Sequence, residues 1–298
     1  MGSSESKTPQ PQPTPQPAAP AYNPEFDKPW RNFKWEQKST LKKQLEEFTP
    51  SDPSVTDIKI LVVGEVGTGK SSFINSVNNV FQNRITSAAL VSSSAGRSFT
   101  KRLKGYHIRS GKITLPIVFR DIMGLEREVL EGSQPEDIIN AVFGHMKDGY
   151  KFDESKPLTH EDEHYTSDPS LSDQASCLVY VIDANKVCMA DEKIRDKLKI
   201  IRQRISDKGI PQVIVMTKVD EACPLVNKDL RKIYHSKKIK KKMQMCSDIV
   251  GVPMNYVFPV KNYHEEIDTD DDVDVLILKA LDQIVHIADD RLIDDRSY

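Results

Sequence analysis

Three short stretches carry residue types suited to phosphate and purine chemistry. Residues 58–71 read Ile-Lys-Ile-Leu-Val-Val-Gly-Glu-Val-Gly-Thr-Gly-Lys-Ser, an apolar run that breaks into Gly64-x4-Gly69-Lys70-Ser71. A buried strand ending this way must turn with its backbone amides pointing inward, around a polyphosphate. Gly64, Gly67 and Gly69 allow the backbone angles and the close approach, with Glu65, Val66 and Thr68 between them. Lys70 supplies a point charge for the β- and γ-phosphates, and the Ser71 hydroxyl ligates Mg²⁺. Ser72 continues a helix whose N-terminal dipole adds to the anion site. The motif recurs by chance in long chains, so its weight comes from the strand before it and the helix after it.

Leu115, Ile117, Val118 and Phe119 form a second apolar run, ending in Asp121-Ile122-Met123-Gly124. A carboxylate at the end of such a strand holds Mg²⁺ through water, and the Gly124 amide is placed to sense a γ-phosphate. Val213 to Met216 then lead into Thr217-Lys218-Val219-Asp220. The Asp220 carboxylate accepts two parallel hydrogen bonds, which guanine N1–H and N2–H₂ present and adenine does not. Lys218 would lay its methylene stem over the purine. Each of the later two motifs is weak alone; in this order and spacing the three select GTP or GDP with Mg²⁺.

The chain resembles the TRAFAC-type GTPase G domain, with Gly64–Ser71, Asp121–Gly124 and Thr217–Asp220 as its first, third and fourth boxes. It resembles the interferon-induced protein 44 family more closely, in Val62 through Phe73, Asn75-Ser76-Val77, and Leu125 directly after the third box. Asp168-Pro169-Ser170-Leu171, Asp274-Val275-Leu276-Ile277-Leu278 and Ala288-Asp289-Asp290 are similar to that family too. The resemblance spans roughly residues 28 to 291 and implies a cytoplasmic, interferon-inducible protein of the antiviral response.

Two elements fit the G-domain pattern less closely. The first switch must place a hydroxyl on Mg²⁺ and the γ-phosphate. Ser92, Ser93, Ser94, Ser98 and Thr100 are the candidates, and Thr100 is favoured because Ser98-Phe99-Thr100-Lys101 resembles the S-x-T-K switch of septin-like and immunity-associated GTPases. Val260-Lys261-Asn262 occupies the place of the fifth box, with Lys261 expected beside the base, although it is not the usual S-A-K. For hydrolysis, Ras-like enzymes use a glutamine after D-x-x-G to orient water. Here that residue is Leu125; Glu126 is the neighbouring candidate, and Arg97, Lys101 and Arg102 are candidate cations. Secure binding with slow or partner-dependent hydrolysis is expected. A non-hydrolysing GTP-binding scaffold is the alternative, and a P-loop kinase would leave Thr217–Asp220 unexplained.

The 298 residues include 42 basic and 44 acidic side chains. That balance gives no field for nucleic acid. No apolar stretch approaches the ~20 residues of a membrane-spanning helix. Cys177, Cys188, Cys223 and Cys246 are widely spaced and read as reduced thiols. The expected partners are a guanine nucleotide and a protein effector, and no oligomeric state is assigned. Met1-Gly2-Ser3-Ser4-Glu5-Ser6 fits the N-myristoylation pattern at Gly2. One acyl chain anchors weakly, so a second signal such as Lys237–Lys242 would be needed; that run otherwise reads as a solvated helix face.

The elements that must position these residues follow from periodicity. Apolar runs at 58–63, 115–120, 177–182, 212–216 and 256–260 alternate with helical patterns at 71–81, 136–147, 190–206, 227–249 and 275–289. This α/β alternation implies a mostly parallel sheet with helices on both faces, and the resemblance implies a P-loop, Ras-like domain; Lys104 to Arg109 adds an antiparallel strand. The layout reads as a Pro/Gln-rich tail over 1–29, a lead-in helical segment over 30–56, the G domain over 57–291 with an inserted exposed loop at 147–173, and a C-terminal tail over 292–298. Within that loop His160-Glu161-Asp162-Glu163-His164 matches H-E-x-x-H, but its polar flanks argue against a buried zinc helix. Asp268 to Asp274 suggests calcium, yet Val273 and Lys279 stand where an EF-hand needs Gly and Glu, and the acids fit a helix N-terminus better.

Overall fold

A computed structural model describes residues 23–89, 101–125, 134–153, 156–189 and 191–294. Thr100, Glu126 and Gly2, along with Arg97, lie outside them. Among the described residues the sheet has six strands: β1 (Ile58–Val63), β2 (Lys104–Ser110), β3 (Ile113–Asp121), β4 (Cys177–Asp183), β5 (Gln212–Thr217) and β6 (Val257–Pro259). Their spatial order is β2-β3-β1-β4-β5-β6. All neighbours run parallel except β2, which pairs antiparallel with β3.

The near-continuous apolar character of β1 and β4 has a simple cause: both faces of the sheet are covered. Alternate side chains feed two cores. Leu61, Val63, Leu178, Tyr180, Ile214 and Met216 point to the side of α3 (Pro135–Val142), α4 (Glu192–Ser206) and α7 (Lys237–Val250). Ile60, Val62, Phe119, Val179 and Val215 face α1 (Lys38–Glu46), α2 (Lys70–Gln82) and α8 (Asp271–Asp294). The chain moves from β1 outward to β3 and then crosses to β4. The crevice at this reversal, beyond the carboxyl ends of the strands, is where an open α/β sheet takes its ligand.

Several boundaries differ from the periodicity, each for a local reason. The pattern over 136–147 stops at Val142, because Gly144 turns into the left-handed region at φ +81 and closes against Asp173. The pattern over 227–249 is broken into the end of α6 (Pro224–Lys228), a 3-10 turn at Leu230–Lys232, and α7, with α5 (Val219–Ala222) just before it. Asp229 and Ser236 act as caps, accepting from Arg231 N and Ile239 N. The final helix begins at Asp271 and runs to Asp294, with Leu292 buried, so residues 292–294 are helix rather than tail.

The described structure includes residues before 30. Residues 23–30 form a strap along the start of α7: Glu25 bridges Ser236, Phe26 N donates to His235 O, and Trp30 N donates to Tyr234 O. The lysine run of α7 is therefore not simply a solvated face. Lys237 donates to Asn23 O, Lys240 lies over the Phe26 and Trp30 rings, and buried Lys242 donates to Ala184 O at 2.6 Å. Cation–π contact and carbonyl acceptors offset the cost of lysines at a helix N-terminus. Next, α1 buries Leu41 and Leu45 against the second core, worth about 1.5–3 kcal/mol each. Its Lys42 caps the C-terminal carbonyls of Val80 and Phe81 on α2.

The segment 147–173 is likewise more than an exposed insertion. Tyr150, Phe152 and Leu158 are buried, and Leu158 N donates 2.7 Å to Asp137 Oδ1 on α3. The His160–His164 stretch lies in turns and is largely exposed, without the helix a zinc motif requires. Among the described residues no group of three metal-ligating side chains is assembled, and no helix is long and apolar enough to cross a membrane.

Candidate functional site

The loop after β1 is held from behind by the sheet. A Cβ on Gly64 would stand 2.2 Å from the Val181 carbonyl, so only glycine lets the strand end here. Gly67 and Gly69 take φ +77 and +93, a region that disfavours other residues. Thr68 folds back on Glu65 O through its hydroxyl at 2.9 Å. Helix α2 starts at Lys70, and the N–H groups of its first turn have no intrahelical partner. The loop plus this turn form an anion cradle.

Lys70 is 7% exposed and donates to Gly64 O at 3.1 Å and Glu65 O at 3.0 Å. Burial lowers its pKa, while the Asp121 and Glu65 carboxylates act in the opposite sense. Ser71 Oγ donates 2.8 Å to Asp121 Oδ2, so the helix hydroxyl and the β3 carboxylate meet. Gly124 packs onto this corner: a Cβ there would lie 2.7 Å from Val66 Cγ2 and 3.1 Å from Lys70 Nζ. Leu125 continues the β1–β3 pairing past the strand ends, bridging Glu65.

The fourth motif reaches the same loop. Thr217 is fully buried, and its hydroxyl donates 2.6 Å to Thr68 O. Lys218 adopts φ +57, which turns the chain sharply and sets Asp220 into the first turn of α5. The Lys218 ammonium pairs with Asp183 Oδ2 at 3.0 Å. Beyond the cradle lies a cavity of about 280 Å³ lined by Gly69, Ser72, Lys218, Asp220, Lys261 and Glu266, among others. Lys261 pairs with Glu266 Oε1 at 2.7 Å. Partial burial pushes the Glu266 carboxyl upward, but the His264 amide and the Lys261 ammonium outweigh it and bring it down to about 2. The same partner raises Lys261 against its own desolvation.

Of the residues singled out from sequence, Gly64 to Ser72, Asp121, Gly124, Thr217, Lys218, Asp220 and Lys261 are brought around one crevice. Arg102, a candidate cation, instead donates to Gly149 O. Sequence reading passed over Asp183, whose signal was a carboxylate ending the apolar run of β4. It named Asn262 only within the fifth-box stretch and not for its side chain, whose Nδ2 donates 3.2 Å to Gly69 O, and it passed over Glu266, which carried no pattern at all.

Among curated proteins, human interferon-induced protein 44-like is 33% identical over 261 residues, 87% of this chain and 58% of that protein. Interferon-induced protein 44 of Mus musculus is 32% identical over 257 residues, covering 86% and 60%. The human protein of that name is 34% identical over 263 residues, covering 87% and 58%. The chain thus spans less than two thirds of the length of these relatives. No protein-family model matches. Among solved structures, Toc33 from Arabidopsis thaliana in complex with GDP and Mg²⁺ aligns with TM-score 0.49 and 16% identity, covering 85% of this chain and 91% of that one. A probable GTP-binding protein aligns with TM-score 0.43 and 11% identity, covering 77% and 98%.

Proposed function

The aligned residues place the chain in the interferon-induced protein 44 family, and on that premise we propose that it captures a guanine nucleotide with Mg²⁺. The carrying observation is convergence. Segments 50 and 149 residues apart in sequence meet the phosphate loop, through Ser71–Asp121 at 2.8 Å and Thr217–Thr68 at 2.6 Å. The corner fits the ligands. Gly64 leaves no room for a side chain, Lys70 brings a buried cation, and the Ser71 hydroxyl and Asp121 carboxylate sit together as an oxygen pair suited to a hard cation. Ser71 and Asp121, with Thr100 from the first switch, would hold Mg²⁺, which when bound would supply charge neutralisation across the phosphates.

The chain's own groups divide the remaining work. Loop amides and Lys70 bind the phosphates, with Gly124 at the γ-phosphate side. Asp220 accepts from guanine N1–H and N2–H₂, Lys218 covers the ring, and Lys261 walls the base. Turnover is slow or partner-dependent, because the residue after Asp121–Gly124 is the apolar, 1% exposed Leu125, which cannot orient water. Glu126 or a partner's residue would serve instead. The setting we assign is the cytoplasmic antiviral response, with weak membrane association if Gly2 is acylated and output through an effector protein.

Burial of Leu125 favours a second reading just as well, a GTP-binding scaffold without turnover. The nucleotide that co-purifies with the chain tests the binding claim: GDP or GTP supports it, and an adenine nucleotide contradicts it. Bound nucleotide after prolonged incubation with GTP then separates the two readings, with conversion to GDP marking the switch and retained GTP the scaffold.

A further inference from the structure

Leu125 does more than leave a catalytic position empty. Its amide donates 2.9 Å to Gly64 O, and its carbonyl accepts from Val66 N at 3.3 Å. The two bonds add a parallel rung, Glu65 to Leu125, beyond the last β1–β3 pair at Val62 and Asp121. The side chain is 1% exposed and belongs to the first core. It lines a largely apolar cavity of about 30 Å³ together with Tyr180, Val181, Val187, Ile194 and Leu198.

This rung has consequences for the two ends of the phosphate cradle. The end nearest α2 offers the first-turn amides of Lys70, Ser71 and Ser72. The other end is occupied by protein. There the Val66 amide is spent on Leu125, the Lys70 ammonium is spent on Gly64 and Glu65 carbonyls, and Gly124 lies against that ammonium. On the guanine-nucleotide reading a β-phosphate would meet the first-turn amides, whereas a γ-phosphate beside Gly124 would have to displace the Gly124–Leu125 segment, break two backbone bonds and draw Leu125 out of its apolar seat.

Resting on the guanine-nucleotide reading, we propose that Leu125 is a specificity-determining residue that latches the third box onto the phosphate loop and favours guanosine diphosphate over triphosphate. The latch works through differential binding: the diphosphate is compatible with the closed rung, whereas the triphosphate must spend part of its binding energy opening it.

Calorimetric titration of the full chain with GDP and with a non-hydrolysable GTP analogue, both with Mg²⁺, tests this. The wild-type chain is expected to prefer GDP by about tenfold or more. Leu125→Ala should narrow that preference about tenfold by tightening the triphosphate, with GDP affinity held. Leu125→Met should keep the wild-type ratio, because methionine is flexible enough to refill the seat. An unchanged ratio in Leu125→Ala, or equal loss of both affinities, overturns the latch. Amide exchange on the wild-type chain keeps the test decisive should that variant fail to fold. The Val66 and Leu125 amides should stay protected with GDP and lose protection with the analogue; protection under both overturns the proposal. A chain that binds neither nucleotide refutes the function and the latch together. A chain that binds both equally refutes the latch alone.

Discussion

The two ends of the crevice are built differently. At the phosphate end the contacts are buried and largely main-chain: Gly64 against Val181, Thr217 to Thr68 O, and Lys70 on two carbonyls. At the base end they are ion pairs between partly exposed side chains, Lys261–Glu266 and Lys218 with the buried Asp183. Buried main-chain contacts leave little freedom around Gly64, Thr68 and Thr217, so on the proposed reading the phosphate end would supply affinity. Half-exposed pairs are screened and individually weak, so on the same reading the base end would supply discrimination at modest cost. Binding strength and base choice should therefore be separable by mutation.

The largest effect is expected from Gly64→Ala. Its Cβ would overlap the Val181 carbonyl at 2.2 Å, and backbone cannot move aside cheaply. A loss of about 3 kcal/mol or more in urea unfolding is expected, together with loss of nucleotide binding. Stability unchanged by this substitution would break the picture of a rigid end. Lys70→Met comes next. Nucleotide affinity should drop about 100-fold through the lost charged hydrogen bonds. Thermal stability should not fall, since burial already disfavours that ammonium.

A control lies behind the phosphate end. Asp137 on α3 is 1% exposed, and burial raises its carboxyl from 3.8 to about 6. The folded chain thus binds an extra proton between those values, so stability falls as pH rises through the window and stays lower above it. Asp137→Asn removes that cost. It should stabilise the chain by about 2 kcal/mol at pH 7.5, by little at pH 4, and leave base choice alone. Equal gains at both pH values would show that the charge is not responsible. The smallest change in affinity belongs to the base end. Asp220→Asn should weaken guanine binding about tenfold and improve xanthine binding, with stability held. Unchanged base preference would remove Asp220 from the guanine contact.

Much of the frame was legible because it is written locally. The run Ile58–Val63, the glycines at 64, 67 and 69, and the carboxylate ending β3 each declare a strand, a turn or a cap within a few residues. The features that were not legible depend on contacts across long stretches of chain. Residues 23–29 have a tail's composition, yet they lie on α7 because Phe26 and Trp30 meet lysines more than 200 residues away. The supposed insertion is anchored by Leu158 on Asp137, a contact with no sequence period. Asp183 becomes a site residue, and the Asn262 side chain a partner of the phosphate loop, only when β4 and the segment after β6 are brought beside β5 and the loop. Leu125 read as a missing glutamine; its pairing with Gly64 and Val66 emerged from the strand register.

The convergence of three segments on one crevice predicts capture of a guanine nucleotide. Calorimetric titration of the purified, nucleotide-stripped chain with GDP and ADP in the presence of Mg²⁺ tests it most directly. GDP is expected to bind with a micromolar or tighter constant, about −8 kcal/mol, while ADP gives no saturable heat. Equal binding of the two, or binding of neither, would contradict the account.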